Sequence, residues 1–257
     1  MGTVCITGSA SGIGATTRAL LEGEGHRVVG VDRHDAEVVA DLATAAGRTA
    51  MVEAVAAATG GVLDGLVAGA GVQGGDPRLV ISVNYFGTVA TLEGLRPLLA
   101  RGTGAAAVAI SSNSATTMAG VDEAIVAACL AGDEDGARAA AERAGAYRDY
   151  PSSKLALARW VRRHAPRPEW IGAGVRLNAV APGPTDTPMV AGLDIPVLDL
   201  GDVYPVPIQR VATPGEQAAV IAFLLSPAAS YVAGAVIPVD GGGEAAARAD
   251  DWPAARP

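Results

Sequence analysis

A chain of 257 residues, half of them hydrophobic and only 4% aromatic, suits a single doubly wound α/β domain with a core of Ala, Val, Leu and Ile. Its formal charge of −8, from 19 Lys and Arg against 27 Asp and Glu, repels phosphate backbones and anionic headgroups, which argues against nucleic acid and membrane surfaces as partners. The opening MGTVCITGSASGIG has no basic stretch followed by an apolar run, and no apolar segment is long enough to span a bilayer, so the expected location is cytoplasmic and Cys5 and Cys129 read as reduced, inert thiols.

In chain order, Val4–Thr7 is a short β-rich run, and the Gly-rich turn after it opens a helical pattern (Ile13, Thr17, Leu20, Leu21) that ends near Gly23–Gly25. Further strands are predicted at Arg27–Val31, Leu63–Ala68, Ala105–Ile110, Val175–Val180 and Ala235–Val239, with Ala-rich segments of helical length between most of them. Strands alternating with helices predict one parallel, Rossmann-type sheet with helices on both faces and right-handed crossovers. Residues 244–257 read as a loose tail, and nothing resembles an interdomain linker or a repeat.

The first turn, Thr7-Gly8-Ser9-Ala10-Ser11-Gly12-Ile13-Gly14, lacks the G-x-G-x-x-G spacing but can do the same physical work. Its glycines let the backbone approach a pyrophosphate at a helix N-terminus, where unpaired N–H groups and the helix dipole favour an anion; the competing reading is a turn that merely packs helix on strand. Asp32 ends the second strand, where a carboxylate accepts hydrogen bonds from an adenosine ribose and repels a 2′-phosphate. Arg33 beside it could accommodate that phosphate, but the turn itself holds no basic residue, so NAD is expected over NADP. Asp41 and Leu42 either border the adenine or form a plain helix cap.

Tyr150-Pro151-Ser152-Ser153-Lys154 opens a predicted helix, so Tyr150 and Lys154 project from one face a turn apart. An ammonium beside a phenol stabilises the phenolate and makes a proton carrier of a group that ordinarily titrates near about 10; a surface Tyr and Lys would show the same spacing. Ser112 directly follows a predicted strand, at the sheet edge where open α/β folds bind ligands. Asn84 stands in an otherwise apolar helical pattern and reads either as part of a polar network or as a satisfied core amide.

Together TGSASGIG, Asp32, SVNYFG, ISS, YPSSK and PGPTDT resemble the short-chain dehydrogenase/reductase family over residues 3–243. That resemblance implies that Ser112 positions the carbonyl or alcohol oxygen, Tyr150 is the general acid or base, Lys154 holds the nicotinamide ribose and tunes Tyr150, and Asn84 supports a proton-relay water. Gly8, Ser11, Gly12, Ile13, Gly14, Asp32, Asp41, Leu42, Ala70, Gly71, Pro182, Gly183, Thr185 and Thr187 would contact the cofactor, Thr187 at the carboxamide. No metal is implied.

Two departures stand out. Ala68-Gly69-Ala70-Gly71 replaces the family's Asn-Asn-Ala-Gly, leaving only backbone contact there, and a helical insertion, 120–147, lengthens the interval from Ser112 to Tyr150. Two helices are predicted in it, Asp122–Ala131 and Asp133–Ala144, each opened by a capping Asp and joined at Gly132. With Asp35–Arg48, SVNYFG, GVRLNAVAPG and Ser226–Ala235, the insertion is similar to the bacterial 3α-hydroxysteroid dehydrogenase/carbonyl reductase subgroup, which implies a bulky apolar alcohol or ketone as partner. Segment 188–210 is the expected substrate lid, with Met189, Val190, Leu193, Ile195, Val197, Leu198, Val203, Val206 and Ile208 apolar and Tyr204 its one aromatic residue. Trp160 and Trp170 read as core or interface residues.

Competing readings are a dehydrogenase of an aryl or natural-product alcohol and a non-catalytic dinucleotide sensor; the joint presence of Asn84, Ser112, Tyr150 and Lys154 favours catalysis. An enoyl reductase would place its Tyr and Lys farther apart than four residues. Because the family commonly pairs the Tyr–Lys helix with its symmetry mate, and the insertion leads into that helix, a homodimer is expected rather than a tetramer.

Overall fold

The computed structural model describes residues 2–145, 147–191, 201 and 204–251. Seven strands, β1 (Thr3–Thr7), β2 (Arg27–Asp32), β3 (Val38–Val39), β4 (Gly65–Ala68), β5 (Ala106–Ile110), β6 (Arg176–Pro182) and β7 (Val236–Val239), form one parallel sheet in the order β3-β2-β1-β4-β5-β6-β7. The order reverses between β1 and β4, which opens a crevice at the carboxyl ends of those strands. Between the strands run α1 (Gly12–Gly23), α2 (Ala45–Thr59), α3 (Pro77–Ile81), α4 (Thr88–Leu99), α5 (Ser114–Thr117), α6 (Glu123–Ala131), α7 (Glu134–Ala144), α8 (Asp149–His164), α9 (Pro188–Ala191) and α10 (Pro214–Leu225), with α11 (Gly243–Ala247) after β7.

Period-two alternation splits the core between the two faces of the sheet. Val4, Ile6, Val67, Val108 and Val180 pack with Leu21 of α1 and Ile221 and Leu224 of α10. Cys5, Leu66, Ala107, Ala109 and Leu177 pack on the opposite face with Met51 of α2, Leu92 and Leu95 of α4 and Leu157 of α8. Every residue of Ala106–Ile110 is buried, and its small side chains let helices approach from both sides. Cutting fully buried Leu66 or Leu157 to Ala should cost about 2–5 kcal/mol.

The interval from Ser112 to Tyr150 holds α6 and α7. Asp122 accepts from the backbone N–H groups of Ala124 (2.9 Å) and Ile125 (3.2 Å), Gly132 closes α6 at φ +77°, and Asp133 accepts from Gly136 N–H at 2.9 Å. The pair lies on α8 and α3, and Ile125, Val126, Cys129, Ala137, Ala140 and Ala141 are buried against the same chain. The apolar faces of the insertion are therefore covered within the chain. Trp160 and Trp170 sit in this core with rings edge to face, 6.2 Å apart. Both cysteines are free and buried, and burial pushes each thiol up to about 12.

Three features had no signal in the sequence reading. The edge strand β3 has only two residues, and Ser82–Gly87 adopts a π-helix, the local form that often marks functional sites. The segment read as a loose tail begins instead with α11, while 252–257 fall outside the described residues. Of the segment expected to form a lid, Leu193, Ile195, Val197, Leu198 and Val203 also fall outside them. No helix among the described residues is long and apolar enough to cross a membrane.

Candidate active site

The cofactor side of the crevice is shaped by backbone that leaves no room for side chains. A Cβ on Gly14 would lie 2.0 Å from the Gly8 carbonyl oxygen, and Gly8 itself has φ +76° with the Gly69–Ala70 backbone 3.0 Å from its missing Cβ. Gly12 has φ +52°, and a Cβ on it would lie 3.1 Å from Thr187 Cγ2, so the turn after β1 meets the segment after β6 that the resemblance assigned to the nicotinamide. The first turn of α1 has no acidic residue, and its N-cap Ser11 makes no capping hydrogen bond, which leaves that end positive. Ser9 Oγ in the same turn is buried without a hydrogen-bond partner. This cradle fits a pyrophosphate.

Asp32 takes part in shaping it. One carboxylate oxygen accepts from Ala10 N–H (3.0 Å) and the other from Arg33 N–H (2.7 Å), so the acid fixes the turn while staying half-buried; the Arg33 residue is exposed. Asp41 does not cap α2. Its Oδ1 accepts from Ala43 N–H in a local turn, and the cap is Thr44, which accepts from Gly47 N–H at 3.0 Å. Leu42 is buried, and its carbonyl accepts from Arg48 Nε at 2.7 Å.

On the opposite side, β5 delivers Ser111 and Ser112, and α8 delivers Tyr150 and Lys154. Ser111 Oγ donates to the Lys154 carbonyl at 2.9 Å and so ties strand to helix. Ser112 Oγ accepts from Ser114 N–H (3.2 Å) and Ser114 Oγ (2.9 Å), which leaves its own proton to donate. Burial pushes the Tyr150 phenol up, and a hydrogen bond with Ser112 opposes the shift. Lys154 Nζ donates to the Ile110 carbonyl at 2.9 Å and lies 5.6 Å from the Tyr150 ring centre, and burial lowers its pKa to about 8. Both groups are thus pressed toward their neutral forms.

Asn84 is fully buried on the π-helix. Its amide donates to the Val72 carbonyl (2.9 Å) and Ser153 Oγ (3.5 Å) and accepts from Val72 N–H (2.8 Å). It thereby pins the loop after β4, where a Cβ on Gly71 would lie 3.5 Å from Lys154 Nζ. Ala70 N–H is held by Thr7 Oγ1 at 3.2 Å. Thr185 is buried, and Pro182 and Gly183 connect the ends of β6, β5 and β7 through Asn113 N–H to Pro182 O and Gly183 N–H to Val239 O. A cavity of about 750 Å³ has Ser112 in its lining, with apolar Ala115, Val206, Ile208, Val236 and Pro238 and charged Arg159, Arg210, Asp240 and Glu244 among the others; Tyr150 and the glycine turn lie outside its lining.

The sequence reading missed Asn113. It is 1% exposed, its Nδ2 donates to Asp240 at 3.2 Å and its Oδ1 accepts from the Tyr204 hydroxyl. Its partners lie 91 and 127 positions along the chain, so no local spacing signals them.

A nucleotide cradle at the sheet's switch point, facing a Ser, Tyr and Lys cluster within one crevice, defines the class as an α/β dinucleotide-dependent oxidoreductase. Residues 2–128 match the family described as short chain dehydrogenase, and 137–244 match its companion described as Enoyl-(Acyl carrier protein) reductase. The 3-alpha-hydroxysteroid dehydrogenase/carbonyl reductase of Comamonas testosteroni is 46% identical, over 96% of this chain and 98% of that protein. Coniferyl-alcohol dehydrogenase of Pseudomonas sp. strain HR199 is 34% identical, over 93% and 95%. Among solved structures, the 3-alpha-hydroxysteroid dehydrogenase from Pseudomonas sp. B-0831 complexed with NADH superposes with a TM-score of 0.90 at 45% identity, covering 96% of this chain and 99% of that one. The chain belongs to the short-chain dehydrogenase family.

Proposed function

We propose that the protein interconverts a secondary alcohol and a ketone on a bulky apolar molecule, with NAD(H) as cofactor and Ser112, Tyr150 and Lys154 as its catalytic residues. The observation that carries this reading is the cluster itself: Ser112 with a proton free to donate, close enough to Tyr150 to oppose the burial shift of its phenol, beside the buried Lys154 and in the lining of a cavity that also includes Val206, Ile208, Val236 and Pro238. When bound, the nicotinamide supplies the hydride acceptor for oxidation and the donor for reduction. Ser112 Oγ holds the reacting oxygen, and Tyr150 Oη takes the hydroxyl proton in oxidation and returns it in reduction. Ser112 opposes the burial that raises the Tyr150 phenol, and Lys154, with Nζ 5.6 Å from the Tyr150 ring centre, is the cation placed to favour the phenolate when charged. Asn84 acts through the backbone it fixes at Val72, and any relay water would lean on that backbone. Gly8, Ser11 to Gly14, Asp32, Gly71 and Thr187 are the residues we assign to the cofactor.

A screen of steroid, aryl and aliphatic secondary alcohols for NAD reduction tests the reading. Turnover of a tetracyclic alcohol with NAD preferred supports it, and no turnover with any alcohol overturns it. The coniferyl-alcohol relative favours a second reading, an aryl alcohol, which the aryl arm of the same screen would reveal. We also propose a cytoplasmic homodimer. Since α6 and α7 cover α8 within the chain, the dimer would form elsewhere, and exposed Phe223 of α10 and Tyr231 near edge strand β7 mark a face for it. Light scattering showing a tetramer built on α8 would overturn that assembly.

A further inference from the structure

The chain returns from the lid segment at Tyr204–Ile208, and this return arm is fastened to the body at several points. The Tyr204 hydroxyl donates to Asn113 Oδ1, and Asn113 Nδ2 donates to Asp240 Oδ2. The Asp240 carboxylate also accepts from Gly242 N–H (3.1 Å) and Glu244 N–H (2.7 Å). Asn113 directly follows Ser112, so one buried amide joins the arm to the ends of β5 and β7. Beneath the arm lies the glycine run after Asp240, which the cofactor cradle does not use. Gly241 has φ +67°, and a Cβ there would lie 2.4 Å from Ile208 Cγ2; one on Gly243 would lie 2.7 Å from the Pro205 carbonyl oxygen. These glycines let the arm sit down on β7.

Val206 and Ile208 of the arm line the same cavity as Ser112. Burial raises the Tyr204 phenol, and the nearby Tyr150 adds to the shift, so the two phenols share one neighbourhood. We propose that Tyr204 is a specificity-determining positioning residue: through Asn113 and Asp240 it latches the 204–208 arm beside Ser112, fixes the apolar wall of Val206 and Ile208, and so sets the size of alcohol or ketone the cleft holds. This rests on the dehydrogenase reading above. A molecule long enough to reach from Ser112 to the arm depends on the latch, and a single-ring molecule held at Ser112 does not.

Tyr204→Phe removes only the hydroxyl and keeps the ring's packing, and it leaves Asn113 Oδ1 without its donor in a buried site. The test is calorimetric binding of androstanone and of cyclohexanone to the NAD+ complex, in which neither ketone can be reduced. Androstanone affinity should fall about ten-fold, while the affinities for cyclohexanone and, separately, for NADH should stay within about two-fold. In an Ile208→Ala background the wall is already gone, so adding Tyr204→Phe should change androstanone binding by less than about two-fold. Equal losses for both ketones, a matching loss for NADH, an additive double variant, or no change would each overturn the latch. Wild-type protein that binds neither ketone would sink the dehydrogenase reading itself, whereas selective wild-type binding with an indifferent Tyr204→Phe sinks only the latch.

Discussion

The two sides of the crevice are built by different means. On the cofactor side, Gly8, Gly12 and Gly14 lie within one β-turn-α-β stretch whose geometry is set by backbone that excludes side chains, and the Asp32 carboxylate at the end of β2 fixes the same turn. On the substrate side, Asn113 (the residue after Ser112), Tyr204 and Asp240 come from distant segments and are joined through their side chains. A backbone-built cradle cannot be retuned without moving the chain, since any side chain on Gly14 strikes the Gly8 carbonyl. A wall held by side-chain hydrogen bonds can change with single substitutions and leave the cradle intact. The difference teaches that the shape of the cofactor cradle is expected to be rigid here, with the choice of NAD over NADP left to the Asp32 side chain, and substrate choice adjustable.

Tyr150 stands where the two sides meet, so Tyr150→Phe is the strongest way to break the comparison. It removes only the proton-carrying oxygen and should cost about 10²–10⁴-fold in kcat while NADH binding, followed by fluorescence, stays near wild type. Turnover close to wild type would place the proton elsewhere. Lys154→Met comes next, with a loss of kcat/KM of at least about ten-fold joined to a gain in stability. The lysine's folded pKa, about 8, lies below its ordinary value of 10.5, so the buried ammonium is fully present, and its cost fully felt, below pH 8. Between those two values the unfolded chain binds more protons than the folded one, and wild-type stability rises with pH. Removing the charge should therefore raise Tm at pH 7, and by less as the pH climbs above 8; a lower Tm at pH 7 would show that the Ile110 hydrogen bond outweighs the buried charge.

Legibility in the sequence follows the same division. The glycine turn that opens α1 and the one-turn spacing of Tyr150 and Lys154 on α8 were readable because each is a local pattern of the chain. The caps of α6 and α7 were readable for the same reason, each being a local Asp with a following N–H. The π-helix was not, because it inserts one extra residue into a pattern whose apolar period looks helical either way. Nor was the Asn113 hub, since an Asn after a Ser-Ser pair carries no mark of a tyrosine and an aspartate elsewhere in the chain. Asp41 was misjudged as a possible helix cap because Thr44, three residues on, competes for the same role and wins with Gly47 N–H.

Asp32→Ala sharpens the cofactor side with a smaller effect. The carboxylate fixes the turn through Ala10 N–H and presents negative charge where a 2′-phosphate would sit, so its loss should weaken NAD and relieve NADP repulsion together. We expect the ratio of kcat/KM for NAD over NADP to narrow about ten-fold, roughly the value of one charge–charge contact near a surface. A ratio that does not move would assign the preference to backbone shape alone.

The smallest effect tests whether the α6–α7 pair is fastened by charge or by packing. Arg48 is 9% exposed and forms a two-pronged pair with Glu134 of α7 at 2.7 and 2.8 Å, while its other donors reach Leu42 O and Ser82 O. Arg138 adds a contact to Glu134 at 2.6 Å. Burial pushes the Glu134 carboxyl up, but the Arg48 hydrogen bond and the charges of Arg48 and Arg138 outweigh it and hold the carboxyl below its ordinary value. The pair's contribution is therefore complete at neutral pH and is lost as the pH falls through that lowered value. Glu134→Gln keeps the shape and one acceptor, and Arg48 keeps its backbone carbonyls, so the cost at pH 7 should be about 1–3 kcal/mol, a Tm drop of some 2–4 °C per kcal/mol, shrinking in acid. A Tm unchanged at pH 7 would mean that Ala137, Ala140 and Ala141 hold α7 by packing alone, and that the ion pair adds nothing beyond what its desolvation costs.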